Sequence, residues 1–512
     1  MTLRDLLNGI SYMVIKGNVD FSVTDIAYDS RSVKEGSLFV CVKGTTEDGQ
    51  EYIEQALEKG ASGIVVEHKI HMERYSAKSL IRNTNIILVA DCSRALAYLS
   101  ANYFEHPAKK CIMIGITGTK GKTTTSYMIK RILEEEGNKV GLIGTNGAYI
   151  MQERIGLEHT TPPSYEVQRL IDKMVKAGCH YVIMEVSSIG LKMGRVAGIH
   201  FNYAIFTNLS PDHIGGKEHK DFEEYIYWKS TLFSNCNVAI VNEDDKYVRK
   251  MLEEKSCQVI TYGMEKMATY MATNLNFVKS EEFLGSSCCI INNRVRVGYH
   301  PSSSEVHEFS LVLGVPGRFN IYNGLAALSC CMEIGCFVEN ITKALYQVHV
   351  KGRVEVVYSN PKFHVMIDYA HNAASLESLL VTLKEYNPTR LVCIFGCGGN
   401  RSVLRRYSMG EISGTYADLS IITEDNSRQE EPMAIIEDII QGMKKTDGDY
   451  MVIPDRKEAI GYSITNAQKG DFIVLVGKGH EDYQETDGIK RPFSEHNIIK
   501  EILSKKEEEY LC

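Results

Sequence analysis

Short apolar runs recur along the chain, bounded by glycine, proline and polar residues, and most are trailed by a stretch with helical spacing. In the first hundred or so residues, 38–42, 63–67 and 86–90 predict strands and 51–58 predicts a helix. A break at His106-Pro107 precedes the apolar run 111–116, which predicts a buried strand. After it, 123–136 has helical spacing and stops at Gly137. Further strands are predicted at 181–185, 204–208 and 238–242, each with a helical pattern behind it. From about residue 350 a new series begins, with strands at 365–368, 391–396, 419–423 and 472–477. Strands alternating with helices argue for an α/β fold built on parallel sheets covered on both faces. Polar residues cluster just past the carboxyl ends of these strands, where open α/β sheets bind ligands. The reading is three α/β domains, at 1–107, 108–349 and 350–512, with no internal repeat and no low-complexity tract.

Composition narrows the class. The 512 residues suit about three domains at roughly 100–200 residues each. With 44% hydrophobic and 24% charged residues, a disordered or fibrous chain is excluded. Lys+Arg 57 against Asp+Glu 65 gives a net charge of −8, so there is no global positive field and nucleic acid is not an expected partner. An anionic small substrate needs only a local basic pocket. No run of about 18 apolar residues predicts a membrane-spanning helix, and the first residues, Met1 to Leu7, lack the apolar core and cleavage site of a signal peptide. The 14 cysteines are scattered, and the adjacent pairs Cys288-Cys289 and Cys330-Cys331 have poor zinc spacing. They read as buried thiols in a reducing cytoplasm.

The strongest local signal joins the strand at 111–116 to the helix behind it. In Gly118-Thr119-Lys120-Gly121-Lys122-Thr123-Thr124 the glycines let the backbone curl so that N–H groups face one anion at a helix N-terminus. Lys122 would reach the terminal phosphates and the Thr123 hydroxyl would sit on Mg²⁺. The full eight-residue P-loop pattern wants Gly at Ile116, but the Gly118-x-x-Gly121-Lys122-Thr123 core is intact. A plain glycine-rich turn is the bland alternative. Glu185, ending an apolar strand, is placed to hold Mg²⁺, a cation that prefers oxygen ligands; standing alone it reads more simply as a solvated strand end. His213 alone reads as a surface or hydrogen-bonded histidine. Lys229, among aromatics on a predicted helix, reads alone as a snorkelling lysine. The sharper reading is an amine neutral enough to take up CO₂, giving a carbamate that holds a second Mg²⁺; spacing does not choose between them.

Taken together these segments resemble the Mur ligase family, the ATP-dependent amide-bond formers of peptidoglycan synthesis, over nearly the whole chain. Asp29-Ser30-Arg31 and Gly36-Ser37-Leu38-Phe39-Val40 look like the family's uridine-side motif. The phosphate loop, Thr160-Thr161-Pro162, Glu185-Val186-Ser187-Ser188, Arg195-Val196, Gly317-Arg318-Phe319-Asn320 with Asn323, Asp368-Tyr369-Ala370-His371-Asn372, Asp425-Asn426-Ser427-Arg428 and Gly477-Lys478-Gly479-His480-Glu481 follow in family order. The resemblance implies that ATP phosphorylates a carboxylate of a nucleotide-linked dipeptide and that an amine then displaces phosphate. By resemblance Lys122, Glu185, His213 and Lys229 are catalytic, and Thr123, Glu185, His213 and carbamylated Lys229 hold two Mg²⁺ ions. Gly118 through Thr124 hold ATP phosphates, Asn320 and Asn323 meet the adenine, and Asp368 meets the ribose. Ser30, Thr160, Thr161, Ser187, Arg195 and Lys229 bind the uridine-linked substrate. Because ATP would touch two domains, catalysis should require closure. The resemblance is to a cytoplasmic enzyme with small-molecule partners, expected to be a monomer.

The resemblance also bears on the amino acid added. The family's acceptor motif is Asp-Asn-Pro-Arg in members using meso-diaminopimelate. Here Asp425-Asn426-Ser427-Arg428 lacks the proline and keeps the arginine, which could fork onto the distal carboxylate that lysine lacks. Arg401, Gly477 and Glu481 complete that site by resemblance. The expected acceptor is meso-diaminopimelate, with L-lysine or another diamino acid as the alternative. Ile189, His159 and Met193 depart from the family pattern on the substrate side, and 402–406 departs in the last domain. A divergent paralogue, a folylpolyglutamate synthase, a non-catalytic nucleotide-binding regulator and a P-loop switch are the competing readings.

Overall fold

A computed structural model describes residues 1–44, 47–68, 84–211, 214–215, 218–280, 283–294 and 307–511. The chain divides into two compact units, one of residues 1–270 with 325–340 and one of 271–324 with 341–512.

The first unit carries two sheets. Five strands, β1 (Tyr12–Lys16), β2 (Ile26–Ala27), β3 (Leu38–Val40), β4 (Gly63–Val66) and β5 (Asn85–Val89), lie in the order β1-β5-β4-β3-β2. Only β1 runs antiparallel. The second sheet holds β6 (Ile112–Thr117), β7 (Val140–Gly144), β8 (Gly147–Ile150), β9 (Glu153–Ile155), β10 (Tyr181–Glu185), β11 (Phe201–Phe206), β12 (Cys236–Asn242) and β13 (Gln258–Gly263). They run β13-β12-β11-β6-β10-β7-β8-β9, parallel from β13 to β7 and closed at the edge by an antiparallel meander. The central strands are buried on both faces, which is why β6 and β10 read as continuous apolar runs. The helix Ser164–Lys176 covers one face with Val167, Leu170, Ile171 and Met174, a stripe at helical spacing packed on Met113, Val182 and Met184.

The second unit contains β14 (Tyr270–Lys279), β15 (Leu284–Asn292) and β16 (Glu308–Leu313) side by side, with β15 and β16 antiparallel. Its main sheet holds β17 (Glu355–Ser359), β18 (Phe363–Asp368), β19 (Arg390–Phe395), β20 (Leu419–Ile422), β21 (Tyr450–Val452) and β22 (Asp471–Val476) in the order β17-β18-β22-β19-β20-β21, all parallel but β17. The last strand, β22, inserts between β18 and β19. The carboxyl ends of β18, β22, β19 and β20 therefore open in a row on one sheet end, the place where such sheets hold ligands. A hairpin, β23 (Tyr483–Thr486) and β24 (Ile489–Pro492), follows β22. Beneath these strand ends Arg456 is wholly buried. It donates to Glu495 Oε1 at 2.8 Å on the helix Glu495–Leu511, to the Val476 carbonyl at 2.8 Å and to the Glu424 carbonyl at 3.3 Å.

The α/β class holds, with two differences. The sheets are mixed rather than wholly parallel, and the strand expected at 204–208 is Phe201–Phe206. The thirteen cysteines among the described residues are all free and most are buried; burial pushes the Cys397 thiol up to about 12, which keeps it an inert core group. No helix of the described residues is long and apolar enough to cross a membrane.

Candidate active site

The strand β6 delivers the phosphate loop. Gly118 has φ 150°, and a Cβ there would lie 1.9 Å from Thr207 Oγ1, so only glycine fits. Gly121, at φ 86°, turns the chain into the helix Lys122–Glu135. Residues following β11 pin the loop. Thr207 Oγ1 donates to the Lys120 carbonyl at 2.7 Å, and Asn208 bonds both the N–H and the carbonyl of Lys120 at 3.0 Å. Thr119 N donates to the Asn208 carbonyl at 2.9 Å. Lys122 Nζ curls back onto the loop's own carbonyls, at 2.8 Å from Gly118 O and 3.0 Å from Thr119 O.

Lys229, buried on the helix Phe222–Ser230, also donates to the Gly118 carbonyl at 2.8 Å, with Nζ 4.7 Å from the centroid of the Tyr225 ring. The side-chain nitrogens of Lys122 and Lys229 thus meet on one carbonyl at a helix N-terminus, an end of the helix that favours anions.

Glu185 ends β10 and is wholly buried. Its Oε2 accepts from Thr123 Oγ1 and from Thr145 Oγ1, each at 3.0 Å, and its Oε1 accepts from Thr145 N at 3.1 Å. A Thr hydroxyl and a carboxylate oxygen 3.0 Å apart match two neighbouring corners of an Mg²⁺ octahedron, whose ligands at about 2.1 Å are themselves about 3.0 Å apart. Among the described residues no three His, Cys, Asp or Glu side chains cluster as an all-protein cage. One carboxylate with a hydroxyl suits Mg²⁺, which keeps its remaining positions for water and phosphate oxygens.

Thr160, Thr161, Ser187 and Arg195 gather beside this carboxylate. Thr160 Oγ1 lies 3.1 Å from Thr145 Oγ1. Thr161 Oγ1 donates to the Glu185 carbonyl at 2.9 Å and accepts from Ser187 N at 3.0 Å. Arg195 Nη1 donates to the Thr161 carbonyl at 2.7 Å, and burial pushes its pKa down. Met193, one of the departures, places its sulfur 3.5 Å from Arg195 Nη2. Ser30 belongs elsewhere, in a local set where its hydroxyl donates to Gln55 Oε1 at 2.6 Å and Lys59 holds its carbonyl. His213 lies outside the described residues. Two neighbours escape the sequence reading. Thr145 follows β7 in a glycine-rich turn with no motif of its own. His219 is buried with Nε2 2.9 Å from Ser188 Oγ; burial, with Lys192 nearby, pulls its pKa down.

In the second unit Asn320 Nδ2 donates to the Pro316 carbonyl at 2.7 Å, and its Oδ1 accepts from Asn323 Nδ2 at 2.9 Å, which orients both amides. Asp368 ends β18, accepting from Val354 N and Ala370 N at 2.7 Å, while its carbonyl accepts from Gly477 N at 3.1 Å. Asp425 and Asn426 sit just past β20. Burial pushes Asp425 up, but the charges of Lys478 and Arg456 outweigh it and hold the carboxyl below its usual range. Glu481, bonded by Asn426 Nδ2 at 2.8 Å, is raised by burial. Arg428 adopts φ 56°; its guanidinium donates to the Gly399 carbonyl, and its backbone pairs with Glu485 and Gly488 of the hairpin. Arg401 is exposed. The departure at 402–406 has a structural use: buried Arg406 pairs with Glu430 at 2.7 Å and Asp438 at 2.9 Å, holding the helix Val403–Tyr416 to the segment that follows Arg428. Ser427 is buried and its hydroxyl has no hydrogen-bond partner among the described residues.

Comparison with known proteins places this geometry. Residues 22–104 match the family model described as Mur ligase family, catalytic domain, 116–331 match the Mur ligase middle domain, and 352–479 match the Mur ligase, glutamate ligase domain. A UDP-N-acetylmuramoyl-L-alanyl-D-glutamate--2,6-diaminopimelate ligase of Caldanaerobacter subterraneus subsp. tengcongensis is 41% identical over 508 residues, covering 99% of this chain and 100% of the relative. A protein of that name, numbered 1, from Clostridium acetobutylicum is 39% identical, covering 98% and 99%. A solved structure of a UDP-N-acetylmuramoyl-L-alanyl-D-glutamate--2,6-diaminopimelate ligase superposes with a TM-score of 0.70 at 25% identity, covering 99% of each chain. MurF ligase from Thermotoga maritima in complex with ADP shares the fold, with a TM-score of 0.58 at 17% identity over 95% of this chain and 98% of the other. Three successive family domains and relatives matched from end to end make this chain a member of the Mur ligase family.

Proposed function

We propose that the chain is an ADP-forming ligase that joins meso-2,6-diaminopimelate to UDP-N-acetylmuramoyl-L-alanyl-D-glutamate during peptidoglycan synthesis. The observation that carries the reading is the meeting of Lys122, Lys229, Thr123 and Glu185 around one phosphate loop, in a chain whose full-length relatives bear that activity in their names.

The chemistry must bring two anions together. An oxygen of the dipeptide carboxylate attacks the γ-phosphorus of ATP and ADP leaves, giving an acyl phosphate. The amine of the acceptor then attacks the acyl carbon, and the tetrahedral intermediate expels phosphate as the amide forms. Little covalent work falls to the protein, so positioning and charge dominate. Lys122 swings from its loop carbonyls to the β- and γ-phosphates. Thr123 and Glu185 would hold one Mg²⁺, Lys229 as its carbamate would hold a second, and the family resemblance adds His213 to the metal set. Bound Mg²⁺ supplies neutralisation of the γ-phosphate and the carboxylate. Gly118 to Thr124 cradle the phosphates, Asn320 and Asn323 take the adenine, and Asp368 takes the ribose. Ser30, Thr160, Thr161, Ser187 and Arg195 hold the uridine-linked substrate. Arg428 forks onto the distal carboxylate of diaminopimelate, with Arg401, Asp425, Asn426, Gly477 and Glu481 around the rest of it. The work divides among domains at 1–107, 108–349 and 350–512, in a cytoplasmic monomer.

The test is phosphate release from ATP with the uridine-linked dipeptide and Mg²⁺, offering meso-diaminopimelate and L-lysine in parallel, with mass detection of the nucleotide product. Turnover with diaminopimelate is expected. Turnover with lysine alone overturns the acceptor, and silence with both overturns the ligase reading. Activity that falls in bicarbonate-depleted buffer and returns with bicarbonate supports the Lys229 carbamate; indifference to bicarbonate removes it.

A further inference from the structure

We infer that Lys478 is a positioning residue for the acceptor amino acid, acting through the Asn426 amide on Glu481; the inference rests on the acceptor site proposed above. Lys478 follows Gly477 at the carboxyl end of β22, and its side chain is wholly shielded from solvent. All three of its ammonium hydrogens are used: on Asn426 Oδ1 at 2.9 Å, on the Tyr483 carbonyl at 2.8 Å and on Asp425 Oδ1 at 3.3 Å. One cation thus ties together three segments, the loop after β20, the turn after β22 and the first residue of β23.

The amide is where this tie becomes directional. Asn426 Oδ1 accepts from Lys478 and also from the Glu485 N–H at 3.0 Å. With its oxygen committed to two donors, the amide has a single orientation, and Nδ2 must face Glu481 Oε2, which it does at 2.8 Å. The turn is closed by the Glu481 N–H on the Lys478 carbonyl at 3.0 Å. Glu481 therefore has one carboxylate oxygen held by Asn426, and the other is left to meet an amine.

A lysine in this place carries a desolvation cost that a methionine of the same reach would avoid, so packing alone does not select it. Its charge also faces an acidic group of residues, Glu424, Asp425 and Glu481, with buried Arg456 and Arg428 as further nearby cations. Without Lys478, Asn426 loses the donor that sets its amide, and the Glu481 carboxylate loses its aim.

The experiment is steady-state kinetics of the full chain, measuring KM for diaminopimelate, ATP and the uridine-linked dipeptide in the wild type, Lys478→Met, Glu481→Gln and the double variant. Lys478→Met is expected to raise the diaminopimelate KM at least tenfold, with the other two KM values within twofold. The double variant is expected to be no worse than Glu481→Gln alone. An acceptor KM within twofold in Lys478→Met, while Glu481→Gln raises it, overturns the relay and leaves the acceptor site standing. Effects that multiply in the double variant overturn it too. If Glu481→Gln leaves the acceptor KM unchanged, the acceptor site itself fails and takes the relay with it. Should Lys478→Met not fold, Asn426→Asp keeps an oxygen for Lys478 but removes the donor to Glu481. A tenfold rise in acceptor KM is then expected, and a change within twofold overturns the proposal.

Discussion

Gly144→Ala isolates the geometry of the metal-side carboxylate from its chemistry. A Cβ at Gly144 would lie 2.2 Å from Glu185 Oε1 and 2.7 Å from its Cδ, whereas ordinary contact begins at 3.4 Å. The carboxylate must therefore shift by about 1.2 Å from its present seat, where the Thr145 N–H and the Thr123 and Thr145 hydroxyls hold it at 3.0 to 3.1 Å. The backbone at Gly144 is not left-handed, so alanine is compatible with the strand. Misplacing a catalytic group by about 1 Å costs on the order of 100-fold in rate, about 2.7 kcal/mol of transition-state stabilisation. The assay is ADP formation against Mg²⁺ concentration. The expected result is kcat/KM down about 100-fold, with half-saturation moved to higher Mg²⁺ and the near-ultraviolet circular dichroism unchanged. Gly141→Ala is the control, because its Cβ would meet the flexible Met174 side chain, 2.5 Å from the sulfur, and not a functional group. Gly144→Ala within about threefold of wild type, with an unchanged Mg²⁺ dependence, would refute the placement of Glu185 in the metal site.

Lys122→Met, whose amine reaches loop carbonyls at 2.8 and 3.0 Å, should reduce kcat by about 1,000-fold while the chain still folds; stopped-flow or steady-state ADP release checks the rate and thermal unfolding checks the fold. Arg428→Lys keeps the charge but loses the planar fork, so the preference for diaminopimelate over lysine should fall by about 10- to 100-fold, read as the ratio of kcat/KM values. The acceptor KM should rise as pH falls, beginning above the usual carboxylate range, because burial raises Glu481 and it takes up its proton early. In linkage terms the raised carboxyl costs stability above its unfolded pKa and the cost fades as pH drops, whereas depressed Asp425 stabilises above its unfolded pKa and loses that as pH falls through its folded one; a pH series of KM, flattened in Glu481→Gln, separates the two.

Much of this architecture was legible because the parallel strands are buried on both faces. The strand Tyr181–Glu185 is a run of apolar residues ending in a carboxylate, and the phosphate loop announces itself by glycines at positions that need them. The strand Phe201–Phe206 is harder to read. Its start pairs with β12 and meets β6 through the Asn202 side chain, which accepts from Met113 N at 2.9 Å, and Thr207 and Asn208 leave the sheet to grip the phosphate loop. In the strands Tyr270–Lys279, Leu284–Asn292 and Glu308–Leu313 buried positions alternate with more open ones, and that alternation offers no continuous apolar run to notice. In the site, Lys122, Thr123 and Glu185 belong to recognisable spacings. Thr145 and His219 do not, and Lys478 stands in the Gly477-to-Glu481 motif with no role assigned to it, because the part each one plays lies in which buried partner it meets, and that is a property of tertiary structure.

The buried pair of Arg456 and Glu495 gives the end of the chain a meaning that its position conceals. The helix Glu495–Leu511 looks like a tail, yet its first residue supplies the counter-charge for a guanidinium that holds the carbonyls of Glu424 and Val476, one residue before Asp425 and one before Gly477. Cutting the chain before Glu495 would strand a positive charge in the floor of the acceptor loop, a loss of several kcal/mol by the usual cost of halving a buried ion pair. The helix Glu495–Leu511 is thus a foundation for the loops that follow β20 and β22, and attachments for labelling or immobilisation belong after it, never in its place.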